Sequence, residues 1–149
     1  MRYMFCCLSN FPWLSNNLAN KLAVGRHMAR ILLIDDEQMI RDLLAHVLIK
    51  AGHEVRTAGD GSAACKLCRI LDFDLVITDI IMPDVDGIEL IQEMKQHYPQ
   101  MKIIAMSGGG RCSPQDYLEI AGALGVSSTL AKPFTNQVFL ATVEKVLSA

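Results

Sequence analysis

The sequence predicts an α/β fold, a doubly wound five-stranded parallel sheet with five helices. Three observations carry that prediction. Short, unbroken apolar runs recur along the chain, and helical patterns lie between them. Runs of this kind suit strands covered on both faces, where strand-helix-strand crossovers put them. Several of the runs also end in polar groups: Asp35 and Asp36 after the first, Asp79 after the third, Ser107 after the fourth and Lys132 after the fifth.

The elements follow in order. Ala29–Ile34 is the first strand, with Ile31, Leu32, Leu33 and Ile34 in a row. Ile40, Leu43, Leu44, Val47 and Leu48 then stand at helical spacing, and Gly52 ends that helix. Glu54–Ala58 is a second strand, and Gly61–Leu71 a second helix with Ala64, Cys65, Leu67 and Cys68 inward. Leu75, Val76 and Ile77 form a third strand that runs into Thr78 and Asp79. Pro83, Asp84, Asp86 and Gly87 mark a loop, whose acids suit a turn or a helix cap. Ile88, Leu90, Ile91 and Met94 pattern a third helix, and Ile103–Met106 is a fourth strand ending at Ser107. Gly108, Gly109 and Gly110 open a loop that reads either as a mobile lid or as a plain turn. Ser113 caps a fourth helix with Pro114 at its first position. Val126–Leu130 is the fifth strand, and Phe139, Val143, Val146 and Leu147 pattern the last helix.

A chain of 149 residues, half of them apolar, suits one domain with a proper core. A net charge of −2 argues for neither a nucleic-acid nor a membrane partner. The charge is unevenly placed. Residues 1–27 hold three bases and no acid, which leaves 11 bases and 16 acids for the remainder. Residues 1–28 are therefore expected to be an N-terminal extension, disordered or not native, and residues 29–149 the domain. No run approaches the roughly 18–20 apolar residues of a membrane span. Met1–Leu8 is too short for the apolar part of a signal peptide. The expected compartment is the cytoplasm. Cys65 and Cys68 form a C-x-x-C without a second pair of zinc ligands, and read as packed residues with free thiols. His46, His53 and His97 read as solvated surface residues.

Right-handed crossovers bring the carboxyl ends of all five strands to one edge of the sheet, where ligands bind in such folds. Asp35, Asp36, Asp79, Ser107 and Lys132 then converge. Two carboxylates 4 Å apart repel by about 4 kcal/mol at an effective dielectric near 20. Lys132 offsets part of this. A divalent cation offsets more, and an all-oxygen site suits Mg²⁺ or Mn²⁺. The same lysine can act as a point charge on phosphoryl oxygen, Ser107 can donate a hydrogen bond to it, and a carboxylate can be the nucleophile.

The residues that carry this chemistry also carry a resemblance. LLIDDE at 32–37, DLVITDIIMPDVDG at 74–87, IIAMSG at 103–108 and LAKPF at 130–134 resemble, in order and spacing, the receiver domain of bacterial two-component response regulators. The resemblance covers the chain from Ala29 to Leu147. It implies the flavodoxin-like strand order 2-1-3-4-5. It implies that Asp79 is the phosphoacceptor, taking its group from a phosphohistidine on a histidine kinase or histidine phosphotransfer protein. Asp36, Asp79 and the backbone carbonyl of Ile81 would ligate Mg²⁺, with Asp35 acting mainly through water. Lys132 would pair with the phosphoryl group, Ser107 would swing to hydrogen-bond it, and the Lys132–Pro133 peptide would be cis. The implied protein is a stand-alone switch that signals to an unidentified downstream protein. It is not an enzyme beyond slow self-catalysed dephosphorylation.

The chain departs from the family pattern at Thr129, where an aromatic residue is usual three positions before the lysine. That puts the aromatic part of the family's switching in question. Ile81 and Gly109 offer no side chain that orients a hydrolytic water, which implies slow dephosphorylation. Three other readings stay in view. A haloacid dehalogenase-type phosphatase needs a D-x-D after the first strand, whereas Asp35 and Asp36 are adjacent. A flavin module needs a phosphate-cradling loop where Asp35, Asp36 and Glu37 stand. A phosphorylation-independent interaction module of the same fold would leave the acid, hydroxyl and lysine set without a use.

Overall fold

The computed structural model describes residues 28–82, 87–108 and 113–149. The readings placed on residues 1–27, on Asp84 and Asp86, and on Gly109 and Gly110 lie outside the described residues.

Strands β1 (Arg30–Ile34), β2 (Glu54–Ala58), β3 (Leu75–Asp79), β4 (Lys102–Ser107) and β5 (Ser128–Ala131) form one parallel sheet in the order β2-β1-β3-β4-β5. Helices α1 (Gln38–Lys50), α2 (Gly61–Ile70), α3 (Gly87–His97), α4 (Pro114–Ala123) and α5 (Asn136–Ser148) alternate with them. This is the architecture and strand order expected. Side chains on a strand alternate between faces, so each apolar run serves two cores at once. Leu32, Ile34, Val76, Ile103 and Ala105 pack with Ala64, Leu90, Ile91, Met94 and Leu118 of α2, α3 and α4. Ile31, Leu33, Leu75, Ile77, Ile104 and Met106 pack with Leu44, Leu48, Phe139 and Val143 of α1 and α5. Burial on both faces is why these strands read as continuous rather than alternating runs.

The starts of α2, α4 and α5 are set by side-chain caps. Ser113 and Asp116 form the reciprocal capping box at α4, with Pro114 at its first position. Asp60 accepts the Ala63 amide at α2 and Thr135 accepts the Val138 amide at α5, two further caps beyond those the sequence pattern marks. The Lys132–Pro133 peptide is cis, as expected.

Four details differ from the sequence reading. Leu43 is 55 % exposed, and Ala45 is buried beside Leu44 and Leu48 instead. One residue turns a helix by about 100°, so the stripe centres on Leu44 and Leu48 and leaves Leu43 outside it. His53 is buried, and its Nδ1 accepts the Ala29 amide at 3.4 Å, tying the entry of β2 to the start of β1. Strand β5 starts at Ser128 rather than Val126. Ser127 donates its amide to Ile103 O at 2.7 Å and accepts the Ile103 amide on its hydroxyl at 3.2 Å, so a side chain replaces the ladder bond there. Cys65 and Leu67 are only half-buried, while Cys68 is buried. Both thiols are free, and burial pushes the Cys68 thiol up to about 11. At neutral pH it is the protonated form that packs.

Leu43 and Leu48 look alike in the sequence pattern and differ in the fold. Leu48→Ala is expected to cost about 2–5 kcal/mol of unfolding free energy by cavity formation. Leu43→Ala is expected to stay within about 0.5 kcal/mol. Urea denaturation of the two variants measures the difference.

Candidate functional site

Each side chain of the carboxyl-edge cluster is set by the backbone of the strand it follows. Asp35 comes one residue after β1, and its amide still bonds Ala58 O of β2 at 3.3 Å. That extra ladder bond holds Asp35 inside the sheet edge, where it is fully buried. Its Oδ1 accepts the Glu37 amide at 2.9 Å and its Oδ2 accepts Lys132 Nζ at 2.8 Å. Asp36, next along, is exposed. Asp79 is the last residue of β3, in register with Met106, and is buried. Its Oδ1 accepts the Ile81 amide at 3.0 Å and its Oδ2 accepts Lys132 Nζ at 2.7 Å. Thr78 Oγ1 donates to the Asp79 carbonyl at 2.9 Å.

Lys132 is placed by β4 as well as β5. Its amide donates to Ser107 O at 2.8 Å. Its aliphatic stem lies over Gly108, where a Cβ would stand 3.6 Å from Lys132 Cβ. Ser107 is fully buried at the end of β4. Ile81 meets the cluster through its amide. The five residues that the sequence sends to this edge are thus brought together, and Ile81 joins them. One oxygen from each of Asp35, Asp36 and Asp79 fits within 4.8 Å of the others.

Two contributors are not among the predicted site residues. Gly87 opens α3 against the backbone that bears Asp79: its amide donates to Ile80 O at 2.9 Å, and a Cβ there would meet Ile80 Cα at 2.5 Å and Asp79 O at 2.6 Å. Only glycine permits that approach. Arg41 reaches back from α1, its Nη1 donating to Asp35 O at 2.6 Å. The C-x-x-C stands apart. Cys65 and Cys68 line a cavity of about 180 Å³ between α2 and α3, with Glu93, Met94, His97 and Tyr98.

The electrostatics follow from one ammonium shared between two buried carboxylates. Burial works against the Lys132 charge, yet hydrogen bonds and charge from Asp35 and Asp79 outweigh it and raise the lysine above its usual value. For Asp79 the balance runs the other way. Burial raises its carboxyl more than Lys132 and the Ile81 amide lower it, and the Asp35 charge adds to the rise. Lysine gains from two acids, whereas each acid has only part of one lysine. Three carboxylates against one ammonium leave room for a further cation, and a donor set made only of oxygens suits a hard divalent ion.

Known proteins are similar to this chain in sequence and fold. The pattern of the response regulator receiver domain family matches residues 31–144. The transcriptional regulator NtrC of Azospirillum brasilense is 36% identical over 124 residues, covering 81% of this chain and 24% of that protein. The receiver protein CpdR of Brucella abortus is 32% identical over 129 residues, covering 82% of this chain and 99% of that protein. The structure of the chemotaxis regulator CheY4 of Vibrio cholerae superposes with a TM-score of 0.72 at 32% identity, covering 80% of this chain and 99% of that one. Against NtrC the chain therefore spans about a quarter of the relative's length.

Asp79 binds its proton more tightly in the folded state than at its usual value of 3.8. Its contribution to stability is therefore full below 3.8 and is lost as pH rises through the raised folded value. Asp79→Asn removes that penalty. It is expected to raise the thermal midpoint of the metal-free protein at neutral pH by ~2–5 °C, with the gain fading at acid pH. Thermal unfolding in chelator across pH measures it.

Proposed function

The chain belongs to the response regulator receiver domain family, and on that premise we propose how its own residues carry the family's work. The domain is a phosphoacceptor signalling domain of two-component systems. Asp79 is assigned as the acceptor, Lys132 and Ser107 as the groups that hold the phosphoryl oxygens, and Asp35, Asp36, Asp79 and the Ile81 carbonyl as holders of Mg²⁺ or Mn²⁺. The observation that carries the reading is one lysine bonded to two carboxylates of a three-carboxylate cluster.

The donor is a phosphohistidine on a histidine kinase or phosphotransfer protein. A carboxylate oxygen of Asp79 attacks phosphorus in line, the O–P bond forms as the P–N bond breaks, and the imidazole leaves with the electron pair. Positioning does most of the work. Asp79 Oδ1 is oriented by the Ile81 amide at 3.0 Å, and Lys132 Nζ lies 2.7 Å from Oδ2, close enough to move onto a phosphoryl oxygen. Ser107, joined to Lys132 through the backbone, donates its hydroxyl to the same group. When bound, the divalent cation neutralises the carboxylates and draws charge from the phosphoryl oxygens.

The product is an acyl phosphate, and the domain acts as a switch with slow self-catalysed hydrolysis. Support for slowness is the absence of a polar side chain at Ile81 and Gly109. Thr129 lies half-buried in β5, paired with Ala105, where the family pattern has an aromatic ring. Output is proposed to pass through protein contacts, with a different or smaller rearrangement there. Residues 29–149 are proposed as the receiver domain and 1–28 as an extension, in keeping with β1 starting at Arg30. A cytoplasmic location fits, and among the described residues no helix is long and apolar enough to cross a membrane.

Intact mass after incubation with acetyl phosphate and Mg²⁺ tests the reading. The expected result is a gain of one phosphoryl group that is lost in Asp79→Ala and in chelator. A gain that persists in Asp79→Ala would move the acceptor elsewhere.

A further inference from the structure

Of the two acids that follow β1, only one is held by its own side chain. Asp35 is buried, and its two oxygens accept the Glu37 amide and Lys132 Nζ. Asp36 is exposed, so the position of its carboxylate depends on the backbone that carries it. That backbone lies past the last β1–β2 pair, Ile34↔Ala58, and before α1. The helix adds little fixation at this end: its cap residue Glu37 makes no side-chain cap bond, and no acid stands in its first turn. Carbonyls beyond a strand end need other partners.

Arg41 is the partner. Its Nη1 donates to Asp35 O at 2.6 Å and stands 3.5 Å from Asp36 O, at the limit of a hydrogen bond. A hydrogen bond from a charged donor is roughly twice as strong as a neutral one. The guanidinium is itself seated. It lies against Gly59, where a Cβ would come within 3.4 Å of Nη1, 3.8 Å of Cζ and 3.9 Å of Nη2. A methyl at position 59 would already stand in van der Waals contact with the guanidinium, so a bulky branched side chain there is expected to crowd it.

We propose that Arg41, seated on the bare backbone of Gly59, is a positioning residue that fixes the Asp35–Asp36 turn and so sets the cluster's affinity for a divalent cation. Arg41 bonds the two carbonyls rather than the carboxylates of the cluster, and acts through them. The inference rests on reading the acid cluster as the metal site. Groups that orient ligands in this way typically change metal affinity by about 10–100-fold when removed.

Calorimetric Mg²⁺ titration of the unphosphorylated full chain is the test, so the readout is binding and not phosphotransfer. Arg41→Ala is expected to weaken Mg²⁺ binding by about tenfold or more, with Arg41→Lys recovering part of the loss, since an ammonium reaches a carbonyl without the planar fork. Gly59→Leu, which leaves Arg41 in the sequence but takes its seat, should weaken binding similarly. The double variant should lose little more than either single one. Leu48→Ala, a core change away from the cluster, should leave the affinity unchanged and shows that lost stability alone is not the cause. Wild-type affinity retained in both Arg41→Ala and Gly59→Leu would overturn the proposal. Should Arg41→Ala fail to fold, Gly59→Leu with unaltered affinity is enough to do so. A wild type that binds no Mg²⁺ would instead overturn the reading of the metal site.

Discussion

One ammonium shared between two buried carboxylates organises this molecule. Lys132 reaches Asp35 and Asp79 across 97 and 53 residues of sequence, so the contact exists only when β1, β3 and β5 are all in place. Burying charge is costly unless it is paired and hydrogen-bonded. Here both pairs are short, and the remaining carboxylate oxygens take the Glu37 and Ile81 amides. Pairing is still incomplete: three carboxylates meet one lysine, and burial leaves the Asp79 carboxyl raised. The fold builds a site short of positive charge.

The rest of the sheet edge supports that contact. Strand β4 contributes the Ser107 carbonyl that fixes the Lys132 amide, and Gly108 leaves space for the lysine stem. Strand β2 contributes the Ala58 carbonyl that keeps Asp35 in the sheet. Helix α3 begins on the backbone of Asp79 and Ile80, an approach open only to Gly87. Asp79 is thus bonded directly to the Ile81 amide and to Lys132, which follows β5. Coupling of this kind suits a phosphoacceptor, whose added group alters charge at one point and must be noticed elsewhere. Thr129, three residues before Lys132, lies half-buried in β5 beside Ala105.

Much of this is legible in the sequence, for physical reasons. Strands buried on both faces must be apolar throughout, so Ile31–Ile34, Leu75–Ile77 and Ile103–Met106 stand out as runs. Polar residues at the ends of such runs have one place to go, which is why the chain itself groups Asp35, Asp36, Asp79, Ser107 and Lys132. The residues that escape a sequence reading act through backbone. Gly87 and Gly59 matter because of what lies opposite their missing Cβ atoms, and Arg41 because of two carbonyls. Gly87 shows in the chain only as a loop marker, and Gly59 and Arg41 leave no pattern at all. His53 reads as a surface residue because an isolated histidine gives no sign that the Ala29 amide awaits it. Strand β5 reads as starting two residues early because Val126 is apolar, while the Ser127 hydroxyl that breaks the ladder looks like any surface serine.

Burial of Asp79 outweighs the help of its shared lysine and leaves a carboxylate that gains from added positive charge. Carbon-13 NMR titration of the Asp79 side-chain carboxyl, in chelator and then with Mg²⁺, measures this directly. The expected midpoint in chelator lies above the usual aspartate value of 3.8 and moves down when Mg²⁺ is present. A midpoint at or below 3.8 in chelator, unmoved by Mg²⁺, would contradict it and would mean that Lys132 alone balances the site.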